Sequence, residues 1–303
     1  MTSPRVLFVG DVGIDTTVRL RAVPAPDEKV VADELHEATG GVVANAAVAA
    51  SRAGAPVTLL TTTGGDISGR TIPVRLAAEG IDVRVEPSDK ATCRAIILVD
   101  EGGEKRLVLA PDVAMYPSVE AIECLDLSGA VWLHTAAYDR PSSARLIERC
   151  VAANVPVSMD LEPATMPGGL TDLHRHLAGC HTVFLNERSV GVIGSDAVSR
   201  ILSLGAHEVV ETLGPRGIRL HQNGLTVAID PPHIDSPVVD TTGAGDALAG
   251  WHAARRAAGD TAVEALRVAV AAASLSVRRI GAASSYPYPA DVLALADDIT
   301  PNT

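Results

Sequence analysis

Lysine is scarce: only Lys29, Lys90 and Lys105 occur in 303 residues. A phosphorylated ligand must then be met mainly by arginines, helix N-termini or a metal ion. Positive charge is short overall, with a formal net charge of −12, which argues against nucleic acid or an anionic membrane as the main partner. Aromatic residues make up 3% of the chain, so few rings are available to stack on a nucleobase. The four cysteines, Cys93, Cys124, Cys150 and Cys180, lack Cys-x-x-Cys spacing and read as reduced core thiols, not a zinc site or a disulfide framework. Hydrophobic leader and spanning runs of about 18 residues are also missing, so a cytoplasmic location is expected. Two nucleotide-binding patterns are absent too. There is no Gly-x4-Gly-Lys-Ser/Thr, and Gly10-Asp-Val-Gly13 has the wrong spacing for Gly-x-Gly-x-x-Gly.

What the chain does carry is Asp240-Thr-Thr-Gly-Ala-Gly-Asp246, followed by an Ala-rich helical segment to Gly259. A strand-like run ending at Val239 is expected to feed this turn. The N–H groups of Gly243, Ala244 and Gly245 then point outward from a helix N-terminus, which is an anion-binding arrangement. A carboxylate at Asp246, in the same first turn, makes sense as a general base beside a phosphoryl group in transit.

The remaining pattern is a repeated βα rhythm. Strands are expected at 5–10, 57–61, 130–134, 156–160, 181–185 and 208–212, with a hairpin at 217–229. Helices are expected at 71–79 with Pro73 in the first turn, at 142–153, 196–204 and 261–278, and in a short segment near the end. Apolar runs alternating with helices imply a parallel sheet with right-handed crossovers. Two segments interrupt the rhythm: a weakly alternating pair around Pro24-Ala-Pro26, and strands at 92–99 and 105–109 joined through Glu101-Gly-Gly103. Together they read as a small sheet standing off one domain spanning 1–303, a lid built from about 15–38 and 91–110.

Asp11 and Asp15 follow the first strand, where hydroxyl groups of a ligand can be held, although Asp and Gly also favour turns for local reasons. Gly40 and Gly41 permit close backbone approach to a ligand, and Asn45 falls in the first turns of the helix that follows. His174-x-His176 reads as a polar helical stretch more readily than as a metal pair, and Trp132 and Trp251 read as core.

Asp240–Asp246, with the downstream Gly250, closely resembles the C-terminal signature of the PfkB/ribokinase family of carbohydrate kinases. Gly40-Gly41 with Asn45, Gly10 with Asp15, and Thr212-Leu-Gly214-Pro-Arg-Gly217 are similar to its other signatures, in the same order along nearly the whole chain. The resemblance implies a ribokinase-like three-layer α/β/α fold with a mostly parallel central sheet and a β-sheet lid. It implies phosphorylation of a sugar or sugar-acid hydroxyl by ATP, with Mg2+ as cofactor. In that reading Asp246 is the base, and the Gly243, Ala244 and Gly245 N–H groups steady the transferring phosphoryl group. Asp11, Asp15, Gly40, Gly41, Asn45 and the lid residue Arg94 are candidates for the acceptor. Asn186, Thr212, Gly214, Arg216, Gly217, Gly243 and Gly245 are candidates for the nucleotide. Asp240 and Thr242, with groups near Gly281 and Ser285, resemble a monovalent-cation (K+) loop.

The chain departs from the family in two places. Asn186-Glu-Arg-Ser189 ends in Ser where the family carries Glu, leaving Glu187 to reach magnesium through water, and Val42 stands where ribokinases place a lysine. His134, Thr135, Tyr138 and Arg140 are alternative acceptor contacts. A nucleoside kinase of the same fold and a non-catalytic sugar or nucleotide sensor are the competing readings. Relatives that pair their lids imply a homodimer.

Overall fold

Runs rich in Val, Leu and Thr, punctuated by Gly, Pro and Asp, set the strands. The computed structural model describes residues 3–102, 105–110, 112–166 and 168–302. In chain order the strands are β1 (Arg5–Val9), β2 (Gly13–Arg19), β3 (Glu34–Gly40), β4 (Val57–Gly64), β5 (Asp82–Ser88), β6 (Ala91–Val99) and β7 (Lys105–Leu109). They continue as β8 (Val113–Ala114), β9 (Ala130–Ala136), β10 (Val157–Leu161), β11 (Thr182–Asn186), β12 (Glu208–Thr212), β13 (Ile218–Gln222) and β14 (Leu225–Ile229).

Nine of these form the main sheet, in the order β14-β13-β12-β11-β10-β9-β1-β4-β5. From β12 to β5 neighbours run parallel, and β13 and β14 finish one edge as an antiparallel hairpin. The chain leaves β1 toward β4 and β5 on one side, then returns to β9 on the other. A crevice therefore opens at the carboxyl end of β1, the usual place for a ligand in such a sheet. Alternation along β1 divides the interior into two layers. Val6 and Phe8 join the core under the helices Val42–Arg52, Ala244–Ala257 and Ala262–Ser276, whereas Leu7 and Val9 join the one under Arg140–Ala152. The result is a three-layer α/β/α body, as expected.

A second sheet stands beside it in the order β3-β2-β6-β7, with β8 along β6. Ala95, Ile97 and Val99 make its small apolar cluster. Strand alternation places Asp15, Thr17 and Arg19 of β2 with Ile97 and Val99 on the wall of a cleft of about 200 Å³, and the opposite wall is Val238–Thr242 with Ile280–Ala282.

Several boundaries differ from the sequence reading. No strand precedes the glycine turn. Val239 donates its N–H to Val277 O at the end of a helix (2.8 Å) and lies in an extended segment outside both sheets. The helix expected from 71 starts earlier, at Ile67, because Asp66 accepts Gly69 N–H at 2.7 Å and caps it. Pro73 is thus interior, and the Gly69 carbonyl that it cannot serve accepts the Thr63 hydroxyl at 3.3 Å. Strand β5 was not expected at all. Of the hairpin at Glu101-Gly-Gly103, Gly103 lies outside the described residues.

Candidate active site

The glycine turn packs against the opposite end of the sequence. Gly250, nearly two turns into the Ala244–Ala257 helix, sits so close to the Val42–Arg52 helix that a Cβ there would meet Ala46 O at 2.2 Å. That close approach brings Asn45 Nδ2 within 2.8 Å of Asp246 Oδ2, to which it donates. Asn45 therefore holds the candidate base through one of its amide hydrogens. Gly243 starts the helix in the left-handed region (φ 74°), and the Tyr286 hydroxyl donates to its carbonyl at 3.0 Å. Among the described residues the N–H groups of Gly243 and Gly245 have no partner, while that of Ala244 leans back on Thr241 O at 3.4 Å. Two of the three expected donors are open to an anion.

Desolvation lifts the Asp246 carboxyl well above the usual carboxylate range. The Asn45 bond opposes this, and the negative charges of Asp160, Glu162 and Asp11 add to it. Asp160 itself is raised by burial and by Glu162. Sequence reasoning missed these two carboxylates. Their place at and just past the carboxyl end of β10, beside the crevice, was the signal that could have found them.

On the acceptor side, Asp15 lies on the cleft wall, and burial pushes its carboxyl up to about 6. Its carboxylate covers Gly40, where a Cβ would come within 2.2 Å of Oδ2, and Gly41 turns with φ 106° against the Asp11 carbonyl. Asp11 has a different task from the one expected. Its carboxylate accepts the N–H groups of Val42 (2.9 Å) and Val43 (3.1 Å) and so caps the helix that carries Asn45. Arg94 is a correction as well. The pleat puts it on the face of the small sheet away from Asp15, bonded to Glu37, Thr16 and Ser68. The alternative contacts are occupied too. His134 is fully buried on Ser158, Thr135 bonds Val9 O, Tyr138 donates to Glu162, and Arg140 donates to Thr165 O.

On the nucleotide side, Asn186 and Thr212 are register partners at the carboxyl edge of β11 and β12, and Gly214–Arg216 forms a 3-10 turn closed by Gly217 at φ 76°. Asn186 caps the next helix by accepting Ser189 N–H at 2.9 Å. Ser189 is fully buried and donates to Leu161 O. Exposed Glu187 is paired with Arg216. Residues 186–189 thus do not form a carboxylate set that holds magnesium directly.

At the cation loop the Asp240 carboxylate is met by donors. Asp240 Oδ1 accepts Lys105 Nζ (2.7 Å), Thr242 Oγ1 (2.6 Å) and Thr242 N–H (3.0 Å), and Oδ2 accepts Gly281 N–H (3.0 Å). Burial raises the Asp240 carboxyl, but these donors reverse that and bring it down to about 2. Ser285 is buried and donates to Ala282 O. His176 is buried and bonds Ser143 while His174 is exposed, and Trp132 and Trp251 are core. His181, His207 and Glu208 do converge, but they lie at the amino ends of β11 and β12, away from the crevice, and Arg256 already neutralises Glu208.

Over residues 3–289 the sequence matches the pfkB family of carbohydrate kinases. The chain belongs to that family. As a pfkB family carbohydrate kinase it is an ATP-dependent phosphotransferase. Its relatives include a ribokinase of Arabidopsis thaliana, 27% identical over 312 residues, covering 97% of this chain and 81% of that protein. A nucleoside kinase of Methanothermobacter thermautotrophicus is 25% identical, covering 80% and 79%. The solved structure of Arabidopsis thaliana ribokinase complexed with ribose and ATP superposes with a TM-score of 0.83 at 24% identity, over 97% of this kinase and 99% of that chain. That likeness establishes the ribokinase-like fold. No helix among the described residues is long and apolar enough to cross a membrane.

Proposed function

We propose that this kinase transfers the γ-phosphoryl group of ATP to a hydroxyl of a sugar or sugar-acid-like substrate held in the cleft beside Asp15, Gly40 and Gly41. The observation that carries the reading is the carboxylate of Asp246, held by Asn45 at 2.8 Å at the head of a helix whose Gly243 and Gly245 N–H groups are open. Asp246 takes the acceptor's proton, the acceptor oxygen attacks the γ-phosphorus in line, and ADP leaves. The glycine N–H groups steady the charge that develops on the phosphoryl oxygens. Thr212, Gly214, Arg216 and Gly217, with Asn186 beside them, line the nucleotide in this reading, and magnesium enters as the counter-ion of ATP. The small sheet acts as the lid of a single domain, closing the acceptor away from water.

A sugar is favoured over a nucleoside because, among the described residues, no Phe, Tyr or Trp lines the cleft and His36 is its one ring. The sensor reading has Ser189 in its favour and Asp246 against it. ADP release measured over a panel of sugars, sugar acids, sugar phosphates and nucleosides separates the three. Turnover is expected with a sugar or sugar acid. Turnover confined to nucleosides moves the assignment to the second reading, and tight binding without ADP release moves it to the sensor.

The outer lid also carries exposed apolar side chains, among them Val31, Leu35 and Val108. Exposed apolar edges are commonly paired, and this supports a homodimer through the lid. Light scattering is expected to give twice the 31.3 kDa chain mass at micromolar concentration, with Val108→Glu returning it to a monomer. A wild-type monomer at that concentration rules the dimer out. A reducing, cytoplasmic setting belongs to the same reading.

A further inference from the structure

Asp240 opens the glycine-turn motif, and every neighbour aimed at its carboxylate is a donor. One of them is a full cation that arrives from the other wall of the cleft. Lys105, the first residue of β7, reaches across with its ammonium 2.7 Å from Asp240 Oδ1, and Nζ also donates to the Thr242 hydroxyl. Thr242 immediately precedes Gly243. A bound monovalent ion needs several oxygens with lone pairs to offer, whereas here both carboxylate oxygens already accept and the Ser285 hydroxyl is turned onto Ala282 O. The donor set does not fit the ion that the family resemblance implies.

We propose that Lys105 is the resident cation of this corner, a positioning residue that fixes Asp240 and Thr242 and so sets the glycine turn when the small sheet lies against the body. Because the ammonium is tethered to the small sheet, the turn is completed only with that sheet in place. The inference rests on the kinase reading above for its effect on turnover, but not for its effect on the unliganded protein. Lys105 is one of only three lysines in the chain, and its four-carbon stem is what lets a charge on a β-strand reach a loop of the opposite wall.

Two measurements test it in the full chain: turnover with the best acceptor of the panel, and thermal unfolding without ligands. Each compares potassium chloride with tetramethylammonium chloride at equal ionic strength, for wild type, Lys105→Met and Lys105→Arg. Wild-type turnover and melting temperature are expected to be the same in both salts. Lys105→Met is expected to lower kcat by about ten- to a hundred-fold with little change in the KM for ATP, the loss typical of one charge-assisted hydrogen bond. Potassium should then recover part of that loss and raise the melting temperature of Lys105→Met alone, by entering the vacated position. Lys105→Arg should fall between the two.

A wild-type enzyme activated several-fold by potassium over tetramethylammonium overturns the proposal. So does a Lys105→Met variant that matches wild type in both salts. If no acceptor in the panel is turned over, the kinase reading fails at that point, yet the unfolding comparison still decides whether Lys105 occupies the cation position.

Discussion

Asp246→Asn is expected to lower turnover by about 10²–10⁴-fold while ATP and acceptor still bind, the range associated with losing a general base. The amide keeps the shape of the carboxylate and can still bond Asn45, so the site is preserved and only the proton acceptor is lost. Stability should not suffer. Burial raises the Asp246 carboxyl above its ordinary 3.8, so the folded state binds the proton more tightly than the unfolded chain does. Stability from this group then falls as pH rises through the interval between the two values, and the Asn variant escapes that fall at neutral pH. Activity has the opposite sign, because the base works only when deprotonated. In wild type, kcat/KM should climb with pH along a limb displaced upward from the ordinary Asp range. Asn45→Ala removes the one contact that lowers the Asp246 carboxyl, and should move that limb to higher pH. Steady-state rates over a pH series, with the melting temperature of each variant, check all of this. Near-normal turnover by Asp246→Asn in a clean preparation removes Asp246 from the chemistry.

The parts of the fold that were legible are those where one local cue suffices. Parallel strands buried on both faces, such as β1 and β11, read as short continuous apolar runs, and their order along the chain follows from the βα rhythm. Strand β5 escaped because an edge strand needs no such run: Asp82, Arg84, Glu86 and Pro87 disguise it. Val238 and Val239 misled in the other direction. Two valines before a turn look like a strand end, but Pro231, Pro232 and Pro237 leave the segment few N–H groups to offer a sheet. At the site, the anion turn was legible because its seven residues are contiguous. The partners that give the turn its properties are not local. Asn45 lies 201 residues from Asp246, and Lys105 lies 135 residues from Asp240. Arg94 shows how fine the distinction is, since a shift of one residue along β6 exchanges the cleft wall for the outer face.

Gly243→Ala should be the most damaging change in the glycine turn, for a reason that Gly245→Ala does not share. At Gly243 the backbone has φ 74°, and an added Cβ would lie 2.5 Å from the Tyr286 hydroxyl and 2.6 Å from the Ala282 side chain. Relief requires either moving the helix start, and Asp246 with it, or breaking the Tyr286 bond to the Gly243 carbonyl. Backbone strain of this kind amounts to about 1–3 kcal/mol, and misplacing one anion-hole donor lowers turnover by about 10²–10³-fold. Both a lower melting temperature and a lower kcat are therefore expected. At Gly245 an added Cβ meets no protein atom within 4 Å, and alanine suits a helix better than glycine by about 0.5–1 kcal/mol. That variant should melt no lower than wild type. If the phosphoryl group sits against the turn, the new methyl group intrudes on the ligand alone, and kcat falls without any loss of stability. Full activity in both variants would take the turn out of phosphoryl transfer. Loss of activity in Gly245→Ala with unchanged melting would place the transferring group against the N–H of residue 245.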